Sequence, residues 1–108
     1  MPLAPGFDLV MCVTNTWGTM SDKVAVLGEM RRLSPSGTRL LSVYSPASVP
    51  ARREWYHRLG HPVSQETSEY LDTEGGFRSE HFSESRLSRL VANCSIRPLT
   101  EIGFLVTF

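Results

Sequence analysis

The residues with the most chemical potential in this 108-residue chain follow an apolar run near its start. In "FDLVMCVTNTWG", the segment Phe7 to Val13 is almost continuously apolar and delivers Thr14, Asn15, Thr16 and Trp17 to a polar loop reaching Ser21. An Asn just after a buried strand can hydrogen-bond a substrate amide or a cofactor group, or make an Asx turn with its own backbone. Thr14 and Thr16 offer hydroxyls without an evident base beside them, so neither is a nucleophile on its own. Glu80-His81 has the composition of a general-base pair, but reads first as a polar pair on a surface loop. His57, His61, His81, Cys12 and Cys94 are residue types that ligate metals. His57 and His61 stand four apart, but Gly60 and Pro62 break the helix that would align them. No Cys-x-x-Cys supports zinc, so no metal site is expected.

The elements that must position these groups are readable from periodicity. Phe7 to Val13 has the pattern of a central parallel strand covered on both faces. After the loop, Val24, Leu27, Met30 and Leu33 recur every third residue, an amphipathic helix with Ser21 as its expected N-cap. Pro35 ends it. Ser36-Gly37 turns the chain into a second strand, Thr38 to Tyr44. Strand, helix and strand at this spacing make a βαβ unit whose right-handed connection leaves the two strands parallel.

A second helix is expected from Pro50 through Ala51, Trp55 and Leu59 to a terminating Gly60. Its Arg52, Arg53 and Arg58 read as solvent-facing, and Trp55-Tyr56 as a partly exposed pair of which only Trp55 falls in line with Ala51 and Leu59, the kind of aromatic surface suited to an interface. His61 to Arg78 reads as a polar excursion with at most a short strand at Glu69 to Thr73. Ser83 is the N-cap of the last helix, with Phe82 and Leu87 as a hydrophobic staple. Ile96 to Ile102 and Gly103 to Phe108 then form two closing strands, the final one inserted between Thr38 to Tyr44 and its predecessor by analogy with the family named below. The whole predicts an α/β fold with helices on both faces of a mixed sheet.

Bulk composition excludes several classes. The 11 basic and 11 acidic residues cancel, which gives no electrostatic case for nucleic acid or an anionic membrane. No segment approaches the ~20 apolar residues of a membrane span, and no secretory signal is visible. Two cysteines in apolar segments predict free thiols in a cytoplasmic chain.

Four pieces in order, "FDLVMCVTNTWG", "EMRRLSPSGTRLLSVYS", "GFRSEHFSESRLSRLVANCSI" and "EIGFLVTF", resemble the C-terminal half of class I S-adenosylmethionine-dependent methyltransferases. The resemblance implies a single truncated domain over residues 1–108, a three-layer Rossmann-like partial fold ending in an antiparallel hairpin. It places Cys12, Thr14 and Asn15 toward the cofactor, and Asn15 and Thr16 nearest the transferred methyl or its acceptor. Trp17 and Tyr44 would wall the substrate pocket, with Arg78 and His81 approaching from the substrate side. The glycine-rich loop that grips the cofactor in this family has no counterpart here, since Gly75-Gly76 are adjacent glycines in a loop. The chain alone is therefore expected to bind S-adenosylmethionine weakly or not at all, and not to transfer methyl groups.

Three functions fit this reading: a methyltransferase-like domain completed by another segment, a non-enzymatic protein-interaction domain, and a small-ligand module using the cleft beneath the Thr14 to Ser21 loop. In the family fold the first strand has a further neighbour. Without it, a hydrophobic edge is exposed, and pairing with a second copy as a homodimer is the expected remedy, with a hetero-partner as the alternative.

Overall fold

The computed structural model describes residues 3–108. Seven strands and three helices follow in the order β1 (Leu9–Cys12), α1 (Lys23–Leu33), β2 (Thr38–Tyr44), α2 (Val49–Arg58), β3 (Val63–Glu66), β4 (Tyr70–Thr73), β5 (Arg78–Glu80), α3 (Glu84–Leu90), β6 (Ser95–Thr100) and β7 (Gly103–Thr107). The main sheet has the order β1-β2-β7-β6. β1 and β2 run parallel, with Leu9 opposite Thr38 and Cys12 opposite Leu41. β7 is antiparallel to both β2 and β6, so the last strand enters the middle of the sheet, as expected.

Alternation along the strands decides which face is buried. Leu41 and Val43 of β2 and Val106 of β7 point to one side, where Leu27 and Met30 of α1 and Leu87 of α3 meet them in a dry core with Trp17, Phe82 and Val91. Val10 and Cys12 of β1 pack on the same cluster. Each such side chain contributes about 1.5–3 kcal/mol by leaving water.

The opposite face differs from expectation. Leu9, Met11 and Val13 are 45, 52 and 40% exposed, so β1 is covered on one face only. α2 reaches this side at the Tyr44 end alone, where the Tyr44 and Trp55 rings lie 6.3 Å apart. The three layers are thus α1 with α3, the main sheet, and a partial third layer led by α2.

Local signals mostly act where the residues place them. Ser83 caps α3 by accepting the Arg86 N–H, and Gly60 ends α2 with φ of 85°. α1 is capped by Asp22 rather than Ser21, because the Asp22 carboxylate reaches the Ala25 N–H at 3.0 Å. The excursion at residues 61–78 is more ordered than its polarity predicts. β3, β4 and β5 form a separate three-stranded antiparallel sheet, with Leu71 as its buried apolar anchor and Thr73 and Ser79 buried beside it. Short polar strands that bury single residues leave no periodic stripe to read.

Candidate functional site

The loop after β1 lies at the carboxyl end of the parallel pair, where ligands of open α/β sheets bind. Thr14 and Asn15 both adopt the left-handed backbone conformation, with φ of 59° and 57°, which Asn tolerates and Thr does not favour. Hydrogen bonds hold the turn in place. The Thr14 N–H donates to Ser42 Oγ at 2.7 Å, and the Asn15 N–H donates to the Ser42 carbonyl at 3.0 Å.

Asn15 is buried and its amide is fully engaged. Oδ1 accepts the Tyr44 N–H at 3.2 Å, while Nδ2 donates to the Glu80 carbonyl at 3.0 Å and to Ser79 Oγ at 3.3 Å. Its side chain therefore ties the tips of β1, β2 and β5 together. Gly18 is required beneath it, since a Cβ there would stand 2.5 Å from Asn15 Oδ1.

Ser79 Oγ is the hub of this polar lobe. It accepts from Asn15 and from an Arg52 NH2 group at 2.6 Å, and it lies 2.7 Å from the Tyr56 hydroxyl. Two N–H donors occupy its lone pairs, so its own proton goes to Tyr56. Arg52, expected at the surface, is instead fully buried. It also donates to Ser48 Oγ, the Ser79 carbonyl and His81 Nδ1, at 3.2, 2.7 and 2.9 Å. The Tyr44 ring lies 5.0 Å from its guanidinium. No carboxylate is among its hydrogen-bond partners, and its Nε has none among the described residues.

His81 is likewise buried rather than on a surface loop. A guanidinium can only donate, so His81 Nδ1 accepts and the ring is the neutral Nε2–H tautomer. Burial pushes its pKa down, the Arg52 charge pushes it further, and the Ser68 and Thr67 backbone groups oppose both. With Nδ1 so occupied, His81 is not poised as a general base.

Beside the lobe lies a cleft of about 550 Å³, lined by residues 18–24 together with Arg78 and Glu80. Its wall carries the Lys23–Glu80 ion pair, and Glu80 also pairs with Arg86 outside the lining. Burial and the Arg86 and Arg78 charges draw the Lys23 pKa down, while the contacting Glu80 carboxylate acts in the opposite sense. Arg78 is exposed and makes a fork to the Asp72 carboxylate at 2.7 and 3.0 Å.

The remaining expected site residues separate. Trp17 is wholly inside the core, stacked on Phe82 with ring centroids 5.0 Å apart, and walls no pocket. Cys12 is half-buried and burial pushes its thiol pKa up, against a smaller opposing bond from Trp17. Cys12 and Cys94 are free thiols. Thr16 is exposed and donates to the Val13 carbonyl at 2.8 Å. Tyr44 borders the lobe, its phenol pKa raised by burial and by Tyr56. Arg52, Ser79 and Tyr56 were not anticipated. The readable signal was Ser48, Arg52 and Tyr56 at i, i+4, i+8, a polar stripe at helical spacing.

These residues do not form a cradle for S-adenosylmethionine. Asn15 has no free polar atom, Cys12 packs on the core, and the Thr14 N–H is already bonded. Among the described residues, no group of three or more His, Cys, Asp or Glu could hold a metal ion, and no helix is long and apolar enough to cross a membrane. No protein-family model and no curated protein matches the chain.

Proposed function

We propose that the chain is the C-terminal half of a class I S-adenosylmethionine-dependent methyltransferase-like domain, one that does not transfer methyl groups by itself. The observation that carries this reading is the sheet order, with an antiparallel last strand between β2 and β6 and a parallel β1–β2 pair at the other edge. The polar lobe supports it as a rigid floor for the acceptor side. Asn15, Ser79, Arg52 and His81 are mutually engaged, so they hold the β1 loop and β5 in place without exchanging protons with a ligand. Catalysis in such a fold rests on proximity and alignment of donor and acceptor, which a fixed floor serves. Isothermal titration of the purified chain with S-adenosylmethionine is expected to give no saturable binding. Tight one-to-one binding would overturn the incomplete-domain reading.

A second reading rests on the 550 Å³ cleft between the α1 N-terminus and β5. In it the chain is a small-ligand module, and Lys23 and Glu80 in the lining orient a polar molecule. A bound metabolite recovered without methyl transfer would favour it.

A further inference from the structure

We infer that the cleft between the α1 N-terminus and β5 takes a small monocarboxylate, its carboxylate held by Lys23 and Arg78 and its apolar body laid against Met20 and Val24. The inference rests on the small-ligand reading of that cleft and adds the chemical class of the ligand.

The count of donors comes first. Lys23 lines the cleft with its side chain only 14% exposed, and an ammonium has three N–H donors. One goes to the Met20 carbonyl at 2.6 Å and one to Glu80, so the third has no partner among the described residues. Arg78, in the same lining, is held from two sides. Its Nε and Nη2 fork onto Asp72, and its guanidinium lies 3.7 Å from the centroid of the Tyr70 ring. Its Nη1 group is left without a partner among the described residues. Both cations are therefore ordered before a ligand arrives, which lowers the entropy cost of binding one.

The neighbouring carboxylates are already engaged. Glu80 gives one oxygen to Lys23 and the other to Arg86, Asp72 gives both to Arg78, and Asp22 caps α1 through the Ala25 N–H. The unspent donors are thus cationic, and a carboxylate takes charge-assisted hydrogen bonds about twice as strong as a neutral acceptor does.

Charge also limits the ligand to one negative group. The Arg86 and Arg78 charges draw the Lys23 pKa down, and a single added anion relieves that crowding. A dianion would overcompensate it, because Glu80 and Asp22 share the lining and the well-exposed Glu69 stands 3.6 Å from Arg86. The rest of the wall supplies the apolar part. Met20 and Val24 line the cleft, and Val24 is 72% exposed. A body laid on them leaves water, and a volume of about 550 Å³ has room for one.

Lys23 is the chain's only lysine, so the resonances of its ε-methylene stand alone. Phenylacetate, phenylacetamide and phenyl phosphate, one body with three head groups, are titrated into the isotopically labelled chain at neutral pH and constant ionic strength. Phenylacetate is expected to shift the Lys23 ε-methylene and Val24 amide signals saturably, with a Kd of about 1–10 mM. The other two should bind at least about tenfold more weakly. Arg78→Gln, at an exposed position, should weaken phenylacetate about tenfold without changing the melting of the chain. Arg97→Gln, the same loss of charge on exposed β6, should leave the affinity unchanged. Absence of a saturable shift with phenylacetate would overturn the inference, as would equal affinity for the amide, tighter binding of the phosphate ester, or an Arg78→Gln chain that binds like wild type. Binding of the amide or the phosphate ester in place of the acid would keep the small-ligand reading and remove the carboxylate. Cleft signals silent toward all three, with no metabolite recovered from the purified chain, would remove that reading as well.

Discussion

Two regions of this molecule are held together in opposite ways. Under α1 and α3, Trp17, Phe82, Leu87, Val91 and Val106 are fully buried and nearly all contacts are apolar. In the lobe past the strand tips, Arg52, Ser79, Ser48, Asn15 and His81 are also buried, and a network of hydrogen bonds joins them. An apolar core tolerates loss in proportion to volume, because each neighbour loses a little contact. A polar core fails by another route, since removing one member leaves its partners desolvated and unpaired whatever the volume lost. The difference predicts how each region fails.

The largest effect is expected in the apolar region. Trp17→Ala removes the ring stacked on Phe82 and should lower stability by about 3–5 kcal/mol. Chemical denaturation followed by circular dichroism would measure it, and a loss below about 1 kcal/mol would mean that this core is not close-packed. Next comes Arg52→Met, which keeps much of the volume but strands Ser48, Ser79 and His81. It should cost about 3 kcal/mol. Arg52→Lys should not rescue it, because a point ammonium cannot span the partners that the planar fork reaches. A fully stable Arg52→Met protein would show that the lobe depends on packing, and the contrast between the regions would fall.

The same contrast explains what could be read beforehand. The βαβ unit, the closing strands and the α3 cap were legible because apolar residues repeat with the period of their element. The placement of β7 came from the family resemblance, and pairing registers agree with it. The lobe was not legible by that route. Arg52 reads as a surface residue on any hydropathy pattern, and only its partners, 27 and 29 residues downstream, make its burial tolerable. β3 and β5 were missed because β3 buries no side chain fully and β5 buries only Ser79. β1 was misread in the other direction. Its continuous apolar run signals cover on both faces, yet only one is covered within this chain. Asn15 stands out in the sequence by its place just after the strand, but its amide ties strand tips together and has no atom left for a ligand.

Asn15 offers a sharper cut, because two of its properties can be separated. Asn15→Gly deletes the three side-chain hydrogen bonds but accepts φ of 57° without strain, and should cost about 2 kcal/mol. Asn15→Ala deletes the same bonds and adds left-handed strain, for about 1–2 kcal/mol more. Equal stability of the two variants would show that the turn relaxes once the amide is gone. That would make the lobe, rather than the loop, the keeper of the β1 tip.

The smallest effect is a pH dependence that the apolar region cannot have. His81 is held neutral by burial and by the adjacent Arg52 charge, so its folded-state pKa lies below the unfolded value of about 6.5. Between those two values the unfolded chain binds more protons than the folded one, and stability therefore rises with pH. The contribution is fully present above about pH 6.5 and declines as the medium is acidified toward the folded-state pKa, by at most about 1.4 kcal/mol per pH unit. Arg86, which donates to the His81 carbonyl, adds a second cation nearby. The Glu69 carbonyl accepts the His81 N–H, and Glu80 is occupied by Lys23 and Arg86. Among the described residues, no carboxylate is therefore a hydrogen-bond partner of the His81 ring that could compensate an imidazolium. His81→Gln retains a side-chain acceptor for Arg52 but cannot titrate, so its stability should be flat from pH 7.5 to about pH 5.5, where wild type declines. Parallel profiles for the two proteins would assign the acid sensitivity elsewhere and leave the buried Arg52–His81 contact without a role in it.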